Sequence, residues 1–134
     1  MGSNNGYVEI ERGVTHGDLA FSRFAKAGGT IYVSGIVGRD PVSRELAGDD
    51  VGEQTRIALQ VIQDILREAG AKLADVVKVT NFVTDMSRYG EVKLVYRDTF
   101  GEELPARTCV EVGCLPDPEA QVEIDVTAYC RERP

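Results

Sequence analysis

The strongest constraint on this chain is one amphipathic stripe with strand-like segments on both sides of it. From Val51 to Ala69, apolar side chains fall at Ala58, Leu59, Ile62, Ile65, Leu66 and Ala69. That is helical spacing, so one face of a helix of about five turns must be buried. Asp49 or Asp50 can cap its start, and Gly70 can end it. A helix so one-sided needs a sheet or another helix to lie on.

The flanking segments supply the sheet. "YVEIER" (7–12) alternates weakly as a strand, and "FSRFAKAGGTIYVSGIVG" (21–38) reads as a hairpin around the "AGG" turn. "GRDPVSRELAGD" (38–49) is a polar loop. After the helix, "DVVKVTNFVTD" (75–85) returns to strand alternation, with Val77, Val79, Asn81 and Val83 on one face. A second helix is expected from about Ser87 to Phe100, with Tyr89, Val92, Tyr96 and Phe100 on one side and Gly101 as its stop. Two strands follow, 106–113 and 121–130, joined by "CLPDPEA", whose prolines break the ladder. The order predicts an α+β fold in one domain, with both helices on one sheet face. The opposite face must be solvated or covered by another subunit. Many residues there are Val, Thr or Tyr, which favours a partner.

Composition excludes several classes. The chain has 134 residues, and its 22 acids against 15 bases give a net charge of −7. That argues against a broad nucleic-acid surface, which needs clustered Lys and Arg. No apolar run reaches the roughly 20 residues of a membrane helix. "MGSNNG" lacks the pattern of a signal peptide and reads as a flexible lead-in over 1–6. Three cysteines, Cys109, Cys114 and Cys130, form no paired metal spacing, and the single histidine, His16, is distant in sequence. The expectation is free thiols in a cytoplasmic protein with no metal site. His16 is expected in an exposed loop.

The chemistry-bearing residues lie in the last two strands. In "PARTCVEVGC", Arg107, Cys109 and Glu111 share one face; in "QVEIDVTAYC", Gln121, Glu123, Asp125, Thr127 and Tyr129 share one. If these strands pair as an antiparallel hairpin, Arg107, Cys109 and Glu111 sit beside Glu123 and Asp125. Like charges facing one another across a sheet are unfavourable. Either the face is solvated and Arg107 partly pairs with the acids, or it is a pocket. In a pocket, Arg107 would grip a substrate carboxylate and one acid would move protons. Cys109 has no base near it in sequence to activate a thiol and reads as a packing residue.

"PARTCVEV", then "LP", then "VEIDVTA" resembles the C-terminal signature of the Rid (YjgF) family of enamine/imine deaminases. "IYVSGIVGRDPVSREL", "EQTRIALQVIQDILREAGAKLADVVKVTNFVTDM" and "YGEVKLVYRDTFG" follow that family's order and spacing, so the resemblance spans roughly residues 18–131. It implies a chorismate-mutase-like mixed sheet with two helices on one face, a homotrimer joined by the other sheet faces, and sites in the clefts between subunits. It implies that Arg107 binds the substrate carboxylate and Glu123 positions or activates water. It also implies that Cys109 lines the site through its backbone, and that Ser34 and Gly35 edge the cleft. The family's cleft takes an aromatic from near Tyr89. Two positions depart from the family: Phe21 stands where a tyrosine is frequent, and Lys93 where the deaminase branch has asparagine. "DPEAQ" is also slightly longer than the usual loop.

The implied reaction is hydrolysis of small 2-enamine or 2-imino acids to 2-oxo acids and ammonia, with no metal or organic cofactor. Two alternatives stand beside it. One is a pathway-specific deaminase of a larger unsaturated amino acid such as 2-aminomuconate. The other is a non-catalytic trimer that binds a small carboxylate. RNA cleavage, also described in the family, is disfavoured by the acidic balance.

Overall fold

Helix α1 (Val51–Glu68) forms where the stripe places it. The Asp50 side chain accepts the Glu53 backbone N–H at 3.0 Å and caps its first turn. Gly70 follows the C-cap at φ +91°, a conformation that glycine reaches without strain. The face bearing Ala58, Leu59, Ile62, Ile65 and Leu66 is buried. Truncating Ile62 to alanine there would cost about 2–5 kcal/mol. Gln54 is buried on the same helix and satisfied at both ends of its amide: Nε2 donates to Gly48 O at 2.6 Å, and Oε1 accepts from Gln121 N at 3.0 Å.

In this computed structural model, the described residues are 3–4, 7–15, 17 and 19–131. Part of the 1–6 lead-in and His16, expected in an exposed loop, lie outside them. The strands are β1 (Ser3–Asn4), β2 (Tyr7–Val8), β3 (Ile10–Arg12), β4 (Phe24–Ala27), β5 (Thr30–Val37), β6 (Val76–Val83), β7 (Ala106–Glu111) and β8 (Val122–Tyr129). β1 and β2 pair with each other. The other six form one mixed sheet in the order β3-β4-β5-β8-β6-β7. β4 and β5 make the expected hairpin, with Gly28 and Gly29 at φ +57° and +92° in its two-residue turn.

A short 3₁₀ turn, Met86–Arg88, leads into helix α2 (Tyr89–Phe100), so this helix starts two residues later than Ser87. Gly101 ends it at φ +61°. Val92, Tyr96 and Phe100 join the α1 stripe and the helix-facing residues Ile31, Val33, Val79, Val83, Val122, Ile124 and Val126 in one core. The opposite sheet face is left open and carries Tyr32, which is 55% exposed, with Val110 and Tyr129 also exposed on it.

Two expectations about register are corrected. Val77 was placed on the face of Val79, but Val76 is buried and Val77 is exposed. The β6–β8 register shifts between Val76 and Lys78, and this bulge reverses the alternation at the start of β6. The second correction is larger. β7 and β8 do not form a hairpin; β7 runs parallel to β6 at the sheet edge, and β6 lies between the two.

Candidate active site

Arg107 lies opposite Val79 in the β6–β7 ladder and so points to the helix side of the sheet. β7 is an edge strand, so this side chain emerges against the flank of α2 and is exposed. Its guanidinium carbon sits 4.8 Å from the centre of the Tyr89 ring and 5.7 Å from that of Tyr96. Both distances lie within the range in which an aromatic quadrupole attracts a cation. The Tyr96 hydroxyl donates to the Oδ1 of buried Asn81, which fixes the ring beneath the guanidinium. Tyr89, Lys93, Tyr96, Arg97, Leu104, Pro105 and Arg107 line a hollow of about 190 Å³. Among the described residues no carboxylate forms an ion pair with Arg107.

Cys109 follows two residues on, opposite Asn81, and is half-buried. Burial raises its thiol above the ordinary cysteine range, and the nearby Arg107 charge only partly offsets this. The sulfur is therefore a poor thiolate, which agrees with its reading as a packing residue. All three cysteines are free thiols.

Glu123 belongs to a second cluster. It shares the open face of β8 with Asp125 and Thr127. Leu19, Phe21, Ser34, Gly35, Val37, Pro116, Asp117, Pro118 and Glu123 line an open cleft of about 630 Å³. The cleft is shaped by an irregularity in β5: the ladder with β8 shifts between Val33 and Ile36, and Ser34 and Gly35 occupy the extra length. Ser34 Oγ donates to Ser22 O at 2.6 Å and Ser34 N to Arg23 O at 3.0 Å, tying the bulge to the loop that carries Phe21. Gly35 is required by proximity. A Cβ built there would lie 2.8 Å from Glu123 Cδ and nearer still to its Oε2.

Burial pushes the Glu123 carboxyl above the ordinary glutamate range, and the neighbouring Asp125 and Asp117 charges push it the same way. Asp117 is itself held low by Arg39, whose Nε and Nη2 donate to its two oxygens at 2.5 and 3.0 Å. Arg39 also reaches Glu119 at 3.1 Å. This forked ion pair fastens the proline-bearing loop to the 38–48 loop and makes one wall of the cleft. Sequence reading noted the length of that loop but missed Arg39 and Asp117, because residues 78 positions apart carry no local sign of pairing. Among the described residues no His, Cys, Asp and Glu side chains converge as metal ligands would.

The predicted site residues therefore fall into two sets. Arg107, Tyr89 and Lys93 line one hollow, with Cys109 beside them; Phe21, Ser34, Gly35 and Glu123 line the other. The expected meeting of Arg107 with Glu123 does not occur within one chain. Arg107 shares the face of Val79, whereas Glu123 lies opposite Phe82 on the other face.

Fold and site together define an α+β protein with a mixed sheet, two helices on one face, and a lined hollow on each side of that sheet. The chain belongs to the family described as endoribonuclease L-PSP, the YjgF/Rid family, whose model matches residues 17–130. A RutC family protein of Pyrococcus abyssi is 40% identical over 109 residues, covering 81% of this chain and 85% of that protein. The 2-iminobutanoate/2-iminopropanoate deaminase of Rattus norvegicus is 37% identical over 109 residues, 81% of this chain and 79% of the rat protein. Among solved structures, a conserved Rid-family protein of unknown function from Yersinia pestis superposes with a TM-score of 0.85. It is 32% identical, and the match covers 90% of this chain and 99% of that one.

Proposed function

We propose that this protein is a deaminase that hydrolyses 2-imino acids and their enamine tautomers to 2-oxo acids and ammonia, and that it works as a homotrimer. The observation that carries the reading is the Arg107 guanidinium, exposed, cradled by two tyrosine rings and without a carboxylate partner among the described residues. In a chain of net charge −7, such a cation suits the forked grip on a substrate carboxylate. The 37% identical rat protein bears a deaminase name for this reaction.

Arg107 and Glu123 leave opposite faces of the sheet, so neither hollow holds both groups. The open face, with Tyr32 and Val110, is the surface a second copy would cover. In this reading the working site is shared, with Glu123 from one subunit and Arg107 from the β7 edge of the next.

In that site the substrate carboxylate lies on Arg107. An enamine first takes a proton on its β-carbon and gives one up from nitrogen, becoming the imine, whose α-carbon is electrophilic. Glu123 accepts a proton from water as the oxygen adds to that carbon. It returns that proton to nitrogen, giving the carbinolamine, then carries the hydroxyl proton to the same nitrogen as the C–N bond breaks, and ammonia leaves the 2-oxo acid. A carboxyl held above its ordinary range both takes and returns a proton more readily than an ordinary, fully ionised glutamate. The acidic chain offers little for the RNA chemistry that the family description names.

The test is to generate 2-aminoacrylate in situ and follow 2-oxo acid release. Glu123→Gln and Arg107→Ala are each expected to lower kcat/KM by at least about 100-fold. Wild-type rates in either variant would overturn the assignment of that residue. Tight 2-oxo acid binding without turnover of any imine would identify a carboxylate-binding regulator instead.

A further inference from the structure

Arg107 does not occupy its hollow as the only cation. Lys93 and Arg97 line it too, and none of its seven lining residues is acidic. Tyr89, Lys93 and Arg97 stand four residues apart on successive turns of α2, so they share one helix face. Like charges at that spacing work against a helix. Neither Lys93 nor Arg97 forms an ion pair with a carboxylate among the described residues. Arg56 and Arg67 on α1 and Arg88 at the start of α2 are paired, with Glu53, Asp64 and Glu91 respectively. In a chain with 22 acids and 15 bases, three cations thus stand together with no ion-pair partner among the described residues. One of them suffices for a single carboxylate.

Resting on the deaminase reading above, we propose that the substrate carries two acidic groups. Arg107 takes the carboxylate next to the imine carbon, and Lys93 with Arg97 takes a second carboxylate at the far end of the molecule. The substrate class is then a 2-imino dicarboxylic acid. Water adds to the imine carbon, the C–N bond breaks, and the products are a 2-oxo dicarboxylate and ammonia. Tyr89 and Leu104 line the same hollow and supply its apolar surface.

The products give a probe that does not depend on turnover. Binding of 2-oxoglutarate and of 2-oxobutanoate to the full-length protein is measured by calorimetry at low ionic strength. In the parent protein the dicarboxylate is expected to bind at least about tenfold more tightly, as one added charge-assisted contact predicts. In the Lys93→Gln/Arg97→Gln variant the ratio of the two dissociation constants falls to about one. Circular dichroism confirms that the variant is folded, and single substitutions replace it if it is not.

Equal affinity in the parent, or a preference that survives removal of both cations, overturns the proposal. So does preferential binding of a single-stranded RNA oligonucleotide over 2-oxoglutarate. The two readings separate in the assay. Dicarboxylate preference without hydrolysis of any imine sinks the deaminase reading alone. Hydrolysis of 2-aminoacrylate without dicarboxylate preference sinks the second-anion site alone.

Discussion

The Tyr96 hydroxyl donates its hydrogen bond to the buried Asn81 side chain, directly beneath the Arg107 guanidinium. Asn81 Nδ2 has no hydrogen-bond partner among the described residues, so Tyr96 carries most of what keeps this amide in the core. Tyr96→Phe would leave the amide oxygen orphaned as well. The expected loss is about 1–3 kcal/mol of unfolding free energy, measured by urea denaturation. Adding Asn81→Leu should recover part of that loss, since removing both partners spares the desolvation cost. A double variant less stable than the sum of the singles would contradict this account.

Gly35→Ala should damage activity while leaving the fold intact. The new Cβ meets the Glu123 side chain and no backbone atom among its nearest neighbours. Gly35 also lacks the positive φ that would strain an alanine. The carboxylate must rotate away from the bulge. Turnover of 2-aminoacrylate is expected to fall more than about tenfold, as misplaced catalytic groups do, with an unchanged circular dichroism spectrum and nearly unchanged Tm.

Glu123 should make the protein less stable as pH rises. Its folded carboxyl is raised by burial first, then by Asp125 and Asp117. Between the ordinary glutamate value and that raised value the folded state holds the extra proton, so stability falls with increasing pH. Glu123→Gln removes this dependence. The variant should match the parent in Tm at about pH 4 and exceed it at about pH 7. Asp117→Asn should narrow the gap, because one of the charges raising the carboxyl is gone. A gap that widened towards acid would contradict the sign.

Tyr32→Asp tests the shared site. Tyr32 is 55% exposed on the open face and far from the helix-side core. A carboxylate there would be desolvated by a docking copy at a cost no single chain pays. The expected outcome is a folded protein that sediments as a monomer and lacks deaminase activity, with Arg107 and Glu123 both in place. A fully active monomer would refute the shared site.

The helices were legible because a 3.6-residue period needs only neighbours in sequence. Gly70 and Gly101 marked their ends, and Gly28–Gly29 marked the hairpin, through conformations those residues alone adopt easily. Strand pairing was not legible. Alternation in "ARTCVE" shows that Arg107 and Cys109 share a face of their strand, but not which face of the sheet that is. The answer depends on β6, more than 20 residues upstream, entering between β7 and β8. The residues named from the family resemblance are all found at one hollow or the other or beside it. What sequence could not supply was the partition between the hollows, or the Arg39–Asp117 staple that walls one of them.

The placement of Arg107 and Glu123 on opposite sides of one sheet also has a meaning for heredity. If each site takes its arginine from one chain and its glutamate from the next, two defective copies can rescue each other. Arg107→Ala and Glu123→Gln chains, each inert alone, would co-assemble and regain about a quarter of the sites at equal mixing, wherever the intact halves adjoin. A cell carrying both alleles would then show partial function where either allele alone shows none.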